Sequence, residues 1–120
     1  MRVLLAEDEP DVQLITRLAL EDAGYTVVAV NDGQAAITAA LSQPFDVVLL
    51  DVMMPRVDGF TACVRLREHE STRNLPVIFL TAKSQEIEVQ QGLAMGARGY
   101  IVKPFDVFSL AARISAFLEL

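Results

Sequence analysis

Several apolar segments of this chain, each with the composition of a buried strand, lead directly into side chains that can do chemistry. A carboxylate at the end of such a strand costs several kcal/mol unless it is paired or used in chemistry. The groups concerned are three carboxylates, a hydroxyl and an ammonium: Glu7, Asp8, Asp51, Thr81 and Lys103. In a parallel sheet, the carboxyl ends of the strands meet at one edge, where ligands bind. The sequence therefore predicts one site, and its groups suit the acceptance of a phosphoryl group.

The three predicted carboxylates would repel one another, and a divalent cation would relieve this repulsion. Oxygen ligands favour Mg²⁺, whereas zinc prefers His and Cys ligands. We expect Asp8 and Asp51 to bind the ion directly, with the backbone carbonyl of Met53 as a third ligand. Glu7, which is one methylene longer than Asp, would act through a water molecule.

A carboxylate shielded by Mg²⁺ can attack phosphorus and form an acyl phosphate. Asp51 is the candidate nucleophile, and Lys103 would neutralise the transferred group as a point charge. The Thr81 hydroxyl would donate to a phosphoryl oxygen, and Ala82 would leave room for close approach. Some of the candidates also have an ordinary explanation: acids such as Glu7, Asp8 and Glu9 are favoured at a helix N-terminus, threonine can end a strand, and lysine is common on surfaces. Asp51 is harder to explain in this way, because its strand is predicted to be central.

Near-continuous apolar runs predict five strands that are covered on both faces: Val3 to Ala6, Thr26 to Val30, Val47 to Leu50, Val77 to Leu80 and Tyr100 to Val102. Five helices are predicted between and after them: from Pro10 to before Gly24, from a cap at Asn31 or Asp32 to before Pro44, from about Asp58 to Glu68, from roughly Gln85 to Met95, and from a cap at Asp106 onward. The fourth helix is the weakest, because Gly92 interrupts it. This alternation predicts an α/β fold with a parallel sheet, as one domain over residues 1–120.

Composition excludes several classes of protein. Of the 120 residues, 52% are hydrophobic and 22% charged, which is typical of a folded domain and not of a disordered chain. The formal charge is −6 and the basic residues are scattered, so we expect no direct nucleic-acid binding. No apolar run reaches the roughly 20 residues of a membrane span, and no signal-peptide pattern develops, so we expect a cytoplasmic protein without membrane contact. Cys63 is expected to be a small buried hydrophobe.

Taken together, these motifs resemble the response-regulator receiver domain. The residues concerned are Glu7-Asp8, the segment from Leu50 through Asp51 to Gly59, Thr81-Ala82, and Gly99-Tyr100-Ile101-Val102-Lys103-Pro104-Phe105. The resemblance implies a doubly wound, flavodoxin-like (βα)5 sheet with strand order 2-1-3-4-5. It also implies a phosphorylation switch of a two-component system, in which a sensor histidine kinase or phosphotransfer protein donates to Asp51 with Mg²⁺.

In the family, the Thr81 hydroxyl would move toward the phosphoryl group and Tyr100 would turn inward. The surface of the fourth helix, fifth strand and fifth helix would then change for a downstream protein or output domain. Such a protein is not an enzyme beyond its own phosphoryl transfer and autodephosphorylation. Met53 and Lys83 occupy positions that tune dephosphorylation, so the lifetime of the phosphorylated state and the oligomeric state stay open. For Tyr100, the alternative is a half-buried aromatic on an edge strand.

Three other functions are consistent with parts of the pattern. An aspartyl phosphatase would need a second Asp where Met53 stands, and a flavodoxin-like electron carrier would not place Glu7-Asp8-Glu9 beside the phosphate of its flavin. The remaining alternative is a pseudo-receiver, which keeps the fold but acts as a phosphorylation-independent protein-interaction module.

Overall fold

Five parallel strands form one sheet in the computed structural model, which describes residues 1–82 and 86–119. The strands are β1 (Arg2–Ala6), β2 (Thr26–Val30), β3 (Val47–Asp51), β4 (Val77–Ala82) and β5 (Gly99–Lys103). Their order is β2-β1-β3-β4-β5, so the predicted topology is confirmed. β2 lies at one edge and β3 at the centre. The four strands whose ends carry the predicted site residues, β1, β3, β4 and β5, are therefore adjacent in the sheet.

Helices follow the strands as predicted. They are α1 (Pro10–Asp22), α2 (Gly33–Ser42), α3 (Gly59–Arg67), α4 (Glu86–Ala94) and α5 (Leu110–Leu118), with a short 3-10 turn at Val107–Ser109 before α5. The predicted start of the fourth helix, Gln85, lies outside the described residues, as does Lys83. Within the described ranges, no helix has the length and apolar character to cross a membrane.

Aspartate side chains fix the starts of three of these elements. Asp32 Oδ1 accepts a hydrogen bond from the backbone N–H of Ala35 at 2.8 Å, which identifies the cap of α2 as Asp32 and not Asn31. Asp58 Oδ1 does the same for α3, at 2.7 Å from the nitrogen of Thr61. Asp106 caps the 3-10 turn, and α5 begins only at Leu110.

The strands are apolar throughout because helices cover both faces of the sheet. Leu50 and Phe79 belong to a buried cluster with α2 and α3, and this cluster also contains Cys63. Leu49, the neighbour of Leu50 in sequence, belongs to the opposite cluster with α1 and α5. Successive side chains of a strand point to opposite faces, so each alternate residue enters a different core layer.

Gly92 has a packing reason to be inside α4. A Cβ atom at this position would lie 2.4 Å from Cε2 of Phe79 and 3.1 Å from Cε1 of Phe60. The rings of Phe60 and Phe79 themselves meet edge to face, with centroids 5.0 Å apart. Glycine weakens a helix by about 1 kcal/mol relative to alanine. At this position it lets α4 approach the sheet closely, which sequence propensity alone could not show.

Candidate functional site

The three predicted metal-binding carboxylates meet at the carboxyl edge of the sheet. Asp51 is the last residue of β3 and is 4% exposed, while Glu7 directly follows β1 and is fully buried. Asp8 is exposed. One carboxylate oxygen from each residue lies within 4.8 Å of the other two. This all-oxygen arrangement suits a hard cation such as Mg²⁺.

Lys103 reaches the same point from the end of β5. Its Nζ lies 2.7 Å from Oε2 of Glu7 and donates a hydrogen bond to Oδ2 of Asp51 at 3.0 Å. Because β4 separates β5 from β3, this long side chain has to extend past a strand position to reach Asp51. Only 18% of the lysine side chain is exposed, so these ion pairs are less screened than surface pairs.

The electrostatic environment of Asp51 opposes its ionisation. Burial raises the pKa of Asp51 from 3.8 to about 7, with a further contribution from the neighbouring Glu7, while Lys103 acts in the opposite direction. For Lys103, burial alone would lower the pKa. The hydrogen bonds and charges of Glu7 and Asp51 outweigh burial and raise the pKa above its ordinary value, so the ammonium stays charged.

The start of α3 packs against the backbone that follows Asp51. Oδ1 of Asp51 accepts from the N–H of Met53 at 3.3 Å, and the N–H of Gly59 donates to the carbonyl of Val52 at 2.9 Å. A Cβ atom at Gly59 would lie 2.3 Å from the backbone oxygen of Asp51, so only glycine permits this approach. Met53 is 63% exposed, and its carbonyl as a metal ligand stays a prediction.

Thr81 and Ala82 are the last two residues of β4. Thr81 lies one position beyond Leu80, which pairs with Asp51, so the hydroxyl-bearing residue is beside the carboxylate-bearing strand end. Thr81 is fully buried, and its Oγ1 donates to the backbone oxygen of Ala82 at 3.1 Å. Ala82 pairs with Lys103 in the sheet and is exposed. The structure thus brings Thr81 and Ala82 to the same edge as Lys103, the third predicted phosphoryl-binding residue.

Tyr100 lies on β5, which forms the second edge of the sheet, opposite Phe79 in the register. Its ring is half-buried and packs against the cluster that contains Phe79. This arrangement matches the alternative for Tyr100, a half-buried aromatic on an edge strand, and the switch role of Tyr100 stays a prediction.

Two residues near the site were not predicted from sequence as site residues. The sequence pattern explains Glu9 only as an acid near a helix N-terminus, whereas its Oε1 lies 3.6 Å from Nζ of Lys103. Gly59 belongs to the motif that carries the resemblance, but the motif does not show its close approach to Asp51. Both contacts depend on the tertiary arrangement: Glu9 approaches the end of β5, and the start of α3 lies against the end of β3.

Comparison of the sequence with protein-family models identifies the family of this chain. The model of the response regulator receiver domain matches residues 3–115. The chain belongs to this family. Receiver domains are parts of two-component response regulators, so the coarse functional prediction is confirmed.

Among curated relatives, the DNA-binding dual master transcriptional regulator RpaA of Synechocystis sp. is 42% identical over 118 residues. The response regulator ArlR of Staphylococcus epidermidis is 42% identical over 117 residues.

Solved receiver structures share the whole fold. The chemotaxis response regulator CheY4 of Vibrio cholerae aligns with a TM-score of 0.90 at 32% identity, covering 97% of each chain. The receiver domain of the sensor histidine kinase PA1611 of Pseudomonas aeruginosa aligns with a TM-score of 0.88 at 32% identity, covering 98% of this chain and 96% of that one. That structure is described as having a magnesium ion coordinated in the active site cleft.

The curated relatives are about twice as long as the part that matches. The matched region includes 98% of this chain, but only 49% of RpaA and 52% of ArlR. The name of RpaA describes a whole protein, so its DNA binding and its transcriptional regulation are properties of that longer protein.

Proposed function

We propose that this receiver domain accepts a phosphoryl group on Asp51 and that the resulting acyl phosphate changes its surface for a partner. The observation that supports this most directly is the environment of one carboxylate. Asp51 is almost fully buried at the carboxyl edge of the central strand, within 4.8 Å of two further carboxylates and in contact with the ammonium of Lys103. Lys103 supplies one positive charge for an incoming phosphoryl group, and the three carboxylates can hold a divalent cation that would supply the rest.

Mg²⁺ is the cofactor that this donor set supports. Glu7, Asp8 and Asp51 would hold it, together with the carbonyl of Met53, because among the described residues these three carboxylates and that of Glu9 outnumber the Lys103 ammonium. When bound, the ion would offset the excess negative charge and allow a phosphoryl group to approach. The magnesium described in the PA1611 receiver domain, which shares the fold, supports this choice.

The proposed donor is a phosphohistidine of a sensor histidine kinase or phosphotransfer protein. A carboxylate oxygen of Asp51 forms a bond to phosphorus while the phosphorus–nitrogen bond breaks, and its electron pair stays on the imidazole. Lys103, already 3.0 Å from Asp51, would stabilise the negative charge of the transferred group. Thr81 and Ala82 would hold a phosphoryl oxygen. Water would later attack phosphorus and return the carboxylate and inorganic phosphate, so the domain catalyses only its own modification.

The output would arise from the surface formed by α4, β5 and α5. Thr81 is in β4, beside the strand end that carries Asp51, and Tyr100 is in β5, which belongs to this surface. A new charge at Asp51 would shift Thr81 toward it and let Tyr100 turn inward, favouring one of two packing states. The partner would be a downstream protein or an output domain. We expect any DNA binding to belong to that output, since the receiver itself has scattered basic residues and a charge of −6.

Intact mass spectrometry tests this function. Wild type incubated with acetyl phosphate and Mg²⁺ should gain one phosphoryl group, and Asp51→Asn should gain none. Asp22→Asn, at the far end of α1 and exposed, is the matched control and should behave as wild type. Excess EDTA should prevent the adduct. A folded wild type that gains no phosphoryl group from acetyl phosphate or a phosphohistidine donor would instead support the pseudo-receiver alternative.

A further inference from the structure

Gln13, in the first turns of α1, makes hydrogen bonds that none of the roles above uses. Its Nε2 lies 2.9 Å from the backbone oxygen of Glu7, 3.0 Å from the backbone oxygen of Val30 and 2.9 Å from Oδ1 of Asn31. Backbone oxygens can only accept, so the NH₂ group of the amide must face them. One side chain therefore joins the end of β1 to the end of β2 and to the following loop.

The bond from Gln13 to Glu7 orients the peptide that joins Glu7 to Asp8. Glu7 is held on its other side by its own N–H, which donates to the oxygen of Val30 at 3.1 Å. β1 ends at Ala6, so the carbonyl of Glu7 lies beyond the sheet hydrogen bonds that satisfy the carbonyls before it. With its N–H and its carbonyl both bonded, Glu7 has a restrained backbone, which sets the direction of its own side chain and the position of the Cα atom of Asp8.

We propose that Gln13 is a positioning residue for the Mg²⁺ site, acting through the Glu7–Asp8 peptide without touching the ion or the phosphoryl group. This inference rests on the proposed function, because it assumes that Glu7, Asp8 and Asp51 bind Mg²⁺. Groups that orient metal ligands in this way typically change metal affinity by about 10-fold to 100-fold when they are removed.

The test compares Gln13→Met with Gln34→Met. Methionine has the same length as glutamine and is a good helix former, but it donates no hydrogen bond. Gln34 is an exposed glutamine in α2, and its longest-range partner is Arg65 at 3.5 Å. Titration with MgCl₂, followed by two-dimensional ¹H–¹⁵N NMR, should give a dissociation constant about 10-fold higher for Gln13→Met and unchanged for Gln34→Met.

A second variant, Gln13→Glu, distinguishes positioning from a purely electrostatic role, because the two roles predict opposite changes in Mg²⁺ affinity. An added negative charge near the site should by itself tighten Mg²⁺ binding. Positioning predicts weaker binding instead, because a carboxylate cannot donate to the carbonyls of Glu7 and Val30. At saturating Mg²⁺, both variants should reach the phosphorylation rate of wild type with acetyl phosphate, since Gln13 does not contact the reacting atoms.

The outcomes separate this inference from the proposed function. If wild type binds Mg²⁺ and Gln13→Met binds it equally well, Gln13 is not a positioning residue and the function stands. If Gln13→Glu binds Mg²⁺ more tightly than wild type, the effect is one of charge and the inference is also overturned. If wild type shows no Mg²⁺-dependent shifts at Asp8 or Met53, both the metal site and the role of Gln13 are wrong.

Discussion

Replacing Asp51 with asparagine should stabilise the metal-free protein, although it removes the group proposed to be essential for function. The carboxyl of Asp51 has its pKa raised from 3.8 to about 7, mainly by burial and then by Glu7. A carboxyl with a higher pKa in the folded state binds its proton more tightly there than in the unfolded state. Ionising it therefore destabilises the fold, and asparagine, which stays neutral, avoids that cost.

The size of the effect follows from the two pKa values. At 1.36 kcal/mol for each pKa unit, the rise to about 7 corresponds to a cost of about 4 kcal/mol when Asp51 is fully ionised. The cost is absent below about pH 4, grows between pH 4 and 7, and is constant above that. Asp51→Asn should thus exceed wild type in free energy of unfolding by about 2 kcal/mol at pH 5 and about 4 kcal/mol at pH 8.

Urea unfolding followed by circular dichroism, in EDTA and at several pH values from 5 to 8, measures this difference. Asp22→Asn, whose aspartate is exposed, should follow wild type throughout and controls for the loss of one negative charge. Adding Mg²⁺ should stabilise wild type but not Asp51→Asn, which narrows the gap. Equal stabilities at pH 8 in EDTA, or a gap that does not depend on pH, would refute the electrostatic reasoning about Asp51.

Three further substitutions test other parts of the site. Thr81→Ala should still gain a phosphoryl group from acetyl phosphate but lose the phosphorylation-dependent NMR shifts on β5 and α5, and a wild-type pattern of shifts would contradict its switch role. Gly59→Ala should lose about 1–3 kcal/mol in urea unfolding and accept phosphate more slowly, because its Cβ would lie 2.3 Å from the oxygen of Asp51. Gly92→Ala should lower the melting temperature despite alanine's better helix propensity, since its Cβ would meet Phe79 at 2.4 Å; a higher melting temperature would show that α4 packs less closely.

The elements of the fold could be predicted because the sequence pattern is strong at each strand. All five apolar runs are strands, and their buried pattern follows from helices on both faces. The strand order depended on the family resemblance, because the apolar runs alone do not say which strand neighbours which. The convergence of Glu7, Asp8, Asp51 and Lys103 could also be predicted, since parallel strands end at one edge.

What the sequence could not show depends on distances between loops. Lys103 contacts Glu7, Asp51 and Glu9. These partners could not be predicted, because they depend on how the lysine side chain extends past β4. The raised pKa of Asp51 depends on how completely its strand end is covered. The contacts of Gln13 join α1 to the end of β1, six residues away, and to the end of β2, 17 and 18 residues away, so no local pattern marks them.

The most direct test of the central claim is to locate the phosphoryl group chemically. Borohydride reduces an acyl phosphate of aspartate to homoserine, which peptide mass spectrometry can place in the sequence. After incubation with acetyl phosphate and Mg²⁺, we expect homoserine at position 51 and at no other carboxylate. Homoserine at position 8, or a phosphorylated protein in which residue 51 is unchanged aspartate after reduction, would contradict the assignment of Asp51 as the phosphoryl acceptor.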